Sequence, residues 1–179
     1  RAKLVLVGRS ALAPEEQWDT WLATHGANDR TSRRIAAIRE IRRHGGDVWT
    51  AAADVADVER MREVLCAAKE RFGPLNGVLH AAGSLEEGLI QTKTPESVER
   101  VFSTKLHGTL VLSQLIANEP IDFFVLFSST SARLGPPGQV DYVAANAYLN
   151  AFAQQAQLRG GPFTTALELI AQELPEPVA

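Results

Sequence analysis

Short runs rich in β-branched and aromatic residues alternate along the chain with longer stretches in which apolar positions recur every three or four residues. The first kind predicts strands at Lys3–Val7, Asp47–Ala52, Asn76–His80, Ile121–Phe127 and Phe163–Leu169. The second predicts helices near Asp29–His44, Val58–Arg71, Pro95–Ala117 and Gln139–Leu158, with Gly45-Gly46 and Gly73-Pro74 as punctuation. Strands alternating with helices build βαβ units, so the expected class is α/β with a doubly wound parallel sheet. The stretch Gly8–Asn28 sustains no period. Within it Trp18, Trp21 and Leu22 can line one side of a short helix, an insertion near 11–28 with its own apolar cluster. There is no internal repeat and no low-complexity tract.

Composition narrows the class. The chain has 179 residues, 45% apolar and 22% charged, which suits one globular domain over 1–170, followed by a terminal linker at 171–179 containing Leu174-Pro175-Glu176-Pro177. A domain of this size hides roughly 70% of its unfolded surface, enough for a core without disulfides or metals. The single Cys66 has no partner to bridge and reads as a small filler in a reducing compartment; a nucleophile there would lack local support. The cytoplasm is therefore the expected location. A net charge of -3 argues against nucleic-acid or membrane-surface binding. The densest basic run, Arg30, Arg33, Arg34, Arg39, Arg42 and Arg43, shares a helix with Ile35, Ile38 and Ile41; it reads as a solvated face, or else as a docking surface for an acidic partner. No apolar run reaches the roughly 18 residues of a membrane span, and no signal-peptide pattern is present.

Ligands of parallel sheets bind beyond the carboxyl ends of the strands, and four of those ends carry chemistry. Lys3–Val7 is followed by Gly8-Arg9-Ser10, whose guanidinium and hydroxyl could hold a phosphate. Asp47–Ala52 leads into Ala53-Asp54-Val55, a carboxylate that could accept from an adenine amine or cap the next helix. Asn76–His80 leads into Ala81-Ala82-Gly83, small enough for a flat ligand to lie against the backbone. Ile121–Phe127 leads into Ser128-Ser129, hydroxyls facing the same cleft.

Lys105 is the sharpest anomaly. It interrupts a stripe of Val98, Val101, Phe102, Thr109, Leu112 and Ile116 at helical spacing. Desolvating an ammonium is costly, so this Lys either snorkels to an edge or serves a site. Tyr142 and Asn146 stand one turn apart on a helix rich in Ala144, Ala145, Ala147 and Ala151. A phenol with a reference pKa of ~10 donates poorly at neutral pH unless a nearby ammonium stabilises the phenolate. Lys105 could be that ammonium, and Ser129 could bond the same substrate oxygen; a core aromatic with a satisfied hydroxyl is the alternative for Tyr142.

Taken together, His80-Ala81-Ala82-Gly83, Phe127-Ser128-Ser129, Gly135-x-x-Gly138-Gln139 and Tyr142-x-Ala144-Ala145-Asn146-Ala147 resemble the short-chain dehydrogenase/reductase superfamily. More narrowly they resemble the ketoreductase domains of modular polyketide synthases, which place Lys on the helix before the Ser strand and Asn one turn after Tyr. Lys105, Ser129, Tyr142 and Asn146 stand in that order and at that spacing. The resemblance covers roughly Lys3 through Leu158. It implies a Rossmann-type fold and reduction, by NADPH, of a β-ketoacyl thioester carried on the phosphopantetheine arm of an acyl carrier protein, among other polyketide synthase domains. In the implied roles Tyr142 protonates the carbonyl oxygen, Ser129 polarises it, Lys105 tunes Tyr142 and holds the proton relay, and Asn146 orders the relay water or the Lys. Cofactor contacts are implied for Gly8, Arg9 and Ser10, the last two at the adenosine 2′-phosphate, for Asp54 and Val55 at the adenine, and for Ala81, Ala82, Gly83 and Tyr142. No metal, nucleic acid or membrane is implied. A non-catalytic module of the same fold would not need the four residues, and a reductase of sugars or steroids would carry Tyr-x-x-x-Lys.

A complete member opens with a strand, a glycine-rich loop and a helix that receives the pyrophosphate. Here the chain starts at what would be the second strand, so a gap with unpaired backbone groups on both sides is expected in the sheet, as in a piece of a longer polypeptide. The Asn-Trp-Gly signature and lid expected after the last large helix are likewise missing. Leu85-Glu86-Glu87 leans toward the stereochemical class with Leu-Asp-Asp after Ala-Ala-Gly, since the Trp of the opposite class is here Leu134; two solvated loop carboxylates are the alternative.

Overall fold

The structure is a computed structural model that describes residues 1–160 and 162–170; the linker expected at 171–179 lies outside the described residues. The chain clusters into two compact units, 1–53 and the described residues from Asp54 onward.

In the first unit, β1 (Lys3–Gly8) pairs in parallel with β2 (Asp47–Ala52), Lys3 opposite Asp47 and Gly8 opposite Ala52. The connection holds α1 (Trp18–Thr24) and α2 (Arg30–Arg43). Asp29 starts α2 by accepting a 2.8 Å bond from the Ser32 amide, which satisfies one of the orphan donors of the first turn. Ile35 and Ile38 of α2 join Trp18 and Val48 in a buried core, on which Trp21, Leu22 and Ile41 pack. The expected insertion cluster thus extends into the α2–β2 core. Its indoles are satisfied, Trp18 donating to the Ala13 carbonyl at 2.8 Å and Trp21 to Asp29 at 3.0 Å. The second half of the arginine run is matched by carboxylates, with Arg39 on Asp19, Arg42 on Glu15 and Arg43 on Glu40 at 2.7, 2.7 and 2.5 Å.

In the second unit, β3 (Gly77–His80), β4 (Phe123–Ser129) and β5 (Phe163–Leu169) form a parallel sheet in that order. The expected α/β class and parallel pairing are present. The strands lie in two sheets, and among the described residues no strand pairs with the outer edge of β1 or of β3. β4 begins and ends two residues later than its apolar run suggests, because pairing with β5 continues through Ser128 opposite Glu168 and Ser129 opposite Leu169. Both serines are therefore strand residues. α3 (Val58–Phe72) is capped by Asp57, which accepts from the Arg60 amide at 3.0 Å. Cys66 is exposed on it.

The long helix expected over Pro95–Ala117 is interrupted. It consists of α4 (Pro95–Phe102), a π-turn (Ser103–His107) and α5 (Gly108–Leu115). In the π-turn the Gly108 amide reaches back five residues to the Ser103 carbonyl, and the Thr109 hydroxyl donates to the Lys105 carbonyl at 2.5 Å. Such turns accommodate one extra residue and re-aim the side chains around it. A side chain at Gly108 would meet Val55 at 2.6 Å, so only glycine lets α5 approach that closely. After β4 come α6 (Ser131–Leu134) and α7 (Val140–Leu158), whose buried face is Asp141, Ala145, Asn146, Leu149 and Ala153. α7 packs on β4, β5 and α4. No described helix is long and apolar enough to cross a membrane.

All three tryptophans, Trp18, Trp21 and Trp49, belong to the first unit, so their fluorescence reports on it selectively. Ile35→Ala, at a fully buried position, is expected to destabilise that unit by about 2–5 kcal/mol. The check is a urea titration followed by tryptophan emission, and an unchanged midpoint would show that Ile35 is not a core residue.

Candidate functional site

The π-turn turns Lys105 inward. Its side chain is 4% exposed, its Nζ donates to the Phe127 carbonyl at 2.9 Å, and the same Nζ lies 5.4 Å from the centre of the Tyr142 ring. Burial pushes the Lys105 pKa down to about 8, so the group remains mostly protonated at neutral pH. A Cβ on Gly83 would stand 3.1 Å from Cε and 3.4 Å from Nζ of Lys105. The missing side chain at 83 is thus explained by the lysine. His80, 3% exposed at the end of β3, is lowered to about 4 by burial and then by the Lys105 charge, against the raising effect of the Thr104 and Lys105 backbone. The neighbours therefore divide one charge between them: Lys105 carries it and His80 stays neutral.

Tyr142 is half-buried on the first turn of α7, and its amide donates to Asp141 Oδ1 at 3.0 Å. Asn146, one turn later and fully buried, donates from Nδ2 to the Tyr142 carbonyl at 2.8 Å. Its Oδ1 is buried without a partner among the described residues. The Ser128 hydroxyl donates to the Asn146 carbonyl at 3.2 Å. Ser129, 2% exposed, accepts from the Ser131 amide at 3.2 Å, leaving its own O–H free to donate. All four residues singled out for catalysis thus belong to one compact unit, drawn from the π-turn, β4 and α7.

Ala81 and Ala82 are exposed just beyond β3. Asp54 turns one oxygen to the Ala56 amide at 2.9 Å, so it braces its own loop, while Asp57 is the cap of α3. Val55 packs toward Gly108. In the first unit Arg9 and Ser10 are exposed beyond β1, and beside them lies a residue that the sequence pattern had placed on a solvated face. Arg34 Nη2 donates to the Ser10 carbonyl at 3.1 Å, and partial burial together with the Arg30 charge lowers its pKa. The signal was available: Arg34, Ile38 and Ile41 share one stripe at i, i+4, i+7, a cation on an apolar face as with Lys105.

Glu86 and Glu87 are bonded rather than merely solvated. Arg100 grips the Glu86 carboxylate with two donors, Nη2 at 2.8 Å, and Gln139 Nε2 donates to Glu87 Oε1 at 3.1 Å. At the start of α7, a groove of about 390 Å³ is lined by Leu89 and Ile90 and by Pro136, Pro137, Val140 and Val143. Leu134 is exposed at the end of α6. Among the described residues no cluster of His, Cys, Asp or Glu could hold a metal ion.

A family model described as the KR domain matches residues 1–172. The chain belongs to this family. It is 36% identical over 159 residues to 6-methylsalicylic acid synthase of Aspergillus terreus, covering 88% of this chain and 9% of that protein. It is 38% identical over 171 residues to one component of the phenolphthiocerol/phthiocerol polyketide synthase of Mycobacterium tuberculosis, covering 94% and 9%. Among solved structures, an N-terminal ketoreductase from the macrolactin assembly line superposes with a TM-score of 0.76 at 34% identity, over 94% of this chain and 31% of that one. A ketoreductase domain from the bacillaene assembly line gives 0.76 at 32%, over 99% and 40%. The KR chain thus spans about a tenth of those synthases and about a third of those ketoreductases, and its fold is that of polyketide synthase ketoreductases of the short-chain dehydrogenase/reductase superfamily.

The Lys105 pKa carries a stability consequence. Between about 8 and the unfolded value of 10.5, the unfolded chain holds a proton that the fold does not, so stability rises with pH across that window and the full penalty applies below it. Lys105→Met should remove a penalty of up to about 3 kcal/mol at pH 7, offset by loss of the bond to Phe127, worth about 1.5–3 kcal/mol. The variant is expected to be at least as stable as the wild type at pH 7 and to lose that advantage by pH 10. Thermal melts at both pH values check this; a variant clearly less stable at pH 7 than at pH 10, relative to wild type, overturns it.

Proposed function

We propose that this KR domain reduces a β-ketoacyl thioester, carried on an acyl carrier protein, to the β-hydroxyacyl thioester with NADPH during polyketide elongation, and that residues 1–170 are part of its catalytic domain. The observation that carries the reading is the buried Lys105 ammonium set 5.4 Å from the Tyr142 ring. It sets a buried cation against the ring of the residue read as the proton donor, in the same unit as Ser129 and Asn146.

The residues present suit a nicotinamide cofactor. Ala81 and Ala82 are exposed beyond β3 and Gly83 has no side chain, a bare backbone on which a flat ring can lie beside Lys105. When bound, NADPH supplies the hydride that the β-carbon receives. The protein's share is to place the ketone and to manage one proton. The Tyr142 hydroxyl gives its proton to the ketone oxygen as negative charge develops there. The Ser129 O–H, left free by the bond its oxygen accepts from Ser131, donates to the same oxygen. Lys105, held by the Phe127 carbonyl, stabilises the phenolate left behind. Asn146 has its Nδ2 committed to the Tyr142 carbonyl and offers its unpartnered Oδ1 to a relay water or to Lys105. Removing one donor to a developing oxyanion typically costs about 3 kcal/mol.

Arg9, Ser10 and Arg34 would take the adenosine 2′-phosphate, where Arg34 adds a second guanidinium to the one expected. Asp54 and Val55 would meet the adenine. The apolar groove at the start of α7 suits an acyl chain. A free exposed thiol at Cys66 suits the reducing cytoplasm.

Two outcomes test this in the full-length protein. Tyr142→Phe, which keeps the ring, should lower turnover of a β-ketoacyl thioester by about a hundredfold or more and leave NADPH affinity nearly unchanged; retention of more than about a tenth of the activity, ~1.4 kcal/mol of barrier, refutes the proton donor. Arg9→Ala and Arg34→Ala should each weaken NADPH by about 10- to 100-fold and leave NADH nearly unaffected. Equal losses for both cofactors in a fluorescence titration would remove the two arginines from the phosphate.

A further inference from the structure

Among the described residues, the Lys93–Asp141 ion pair is buried on both sides, its side chains 7% and 0% exposed, whereas surface pairs such as Arg39–Asp19 are open to water. Lys93 Nζ donates to Asp141 Oδ2 at 2.8 Å and also to the Glu86 carbonyl. Asp141 turns its other oxygen to the amide of Tyr142 at 3.0 Å. One ammonium thus joins the segment 86–93 to the first turn of α7, beside the proton donor. Further bonds run parallel to it: the Gly88 amide donates to the Gly138 carbonyl at 3.0 Å, and Gln139 donates to Glu87 at 3.1 Å. These bonds join the two segments that line the groove, Leu89 and Ile90 on one and Pro136, Val140 and Val143 on the other.

Burying two charges is a poor way to gain stability, because desolvation offsets most of the attraction and an apolar pair of the same volume does as well or better. What such a pair supplies is a fixed geometry, since two short charge-assisted bonds tolerate little displacement. We propose that Lys93 is a positioning residue for the reductase chemistry: through Asp141 and the Glu86 carbonyl it fixes the start of α7, and with it the place of the Tyr142 hydroxyl relative to an acyl chain in the groove. This rests on the reading of Tyr142 as proton donor to a ketoacyl substrate. Lys93 itself touches neither substrate nor cofactor.

The test uses the full-length protein with Lys93→Met, Lys93→Arg and the double variant Lys93→Met/Asp141→Asn. Lys93→Met should lower kcat for the β-ketoacyl thioester by about 10- to 100-fold, the scale of an ångström-sized misplacement, with NADPH affinity unchanged. Lys93→Arg, which keeps the charge and both bonds within reach, should recover much of the loss. The double variant leaves no buried charge unpaired, so it should regain wild-type stability but not kcat; it carries the same test if the single variant does not fold. Hydrogen exchange, which needs no substrate, should rise together in 86–93 and 138–146 of Lys93→Met, with 1–53 unchanged. Turnover of Lys93→Met within twofold of wild type, a fall in NADPH affinity matching the fall in kcat, recovery of kcat in the double variant, or exchange unchanged in both segments each overturns the proposal. A wild-type protein inactive on ketoacyl thioesters, with the exchange result as expected, would instead overturn the proposed function and leave the strap standing.

Discussion

Burying the Lys105 ammonium on the apolar stripe that runs from α4 into α5 costs several kcal/mol unless polar partners are supplied around it. Much of the second unit is arranged to supply them. The Phe127 carbonyl accepts a hydrogen bond from it, the face of the Tyr142 ring lies within reach of the charge, and His80 stays neutral through burial and then through the charge of the lysine. The π-turn lets a cation leave the helix surface and enter the interior without breaking the helix, and the absent side chain at Gly83 makes room for it.

Tyr142 is consequently set between two buried cations that act differently. Lys105 approaches the face of the ring. Lys93 acts on the backbone before the ring, through Asp141. Asn146 then fixes the turn after it by bonding the Tyr142 carbonyl. The helix turn that carries the phenol is thus held at both ends by polar bonds, while the groove beside it is apolar and open.

The first unit applies the same economy of charge with a different result. Asp19 and Glu15 match Arg39 and Arg42, which lays the insertion against α2, while Glu40 pairs with Arg43 within the helix. Arg34 is tied to the Ser10 carbonyl, a neutral acceptor, and feels the repulsion of Arg30. A guanidinium held by a carbonyl keeps its full charge, which sets Arg34 apart from the three paired arginines.

The sequence by itself determined the α/β class and the order of the elements, and it singled out four candidate site residues, because these depend on local periodicity and on residue types at fixed spacing. Lys105 was legible as a cation on an apolar stripe, and Tyr142 and Asn146 as neighbours one turn apart. The tertiary structure decided the rest. The π-turn depends on what Lys105 packs against, the later ends of β4 on its pairing with β5, and the splitting of the strands into two sheets on which edges find partners. Arg34 beside Ser10 and Lys93 on Asp141 join residues 24 and 48 positions apart. No period along the chain encodes such contacts. They arise only when separate elements are packed and each buried charge must find its partner.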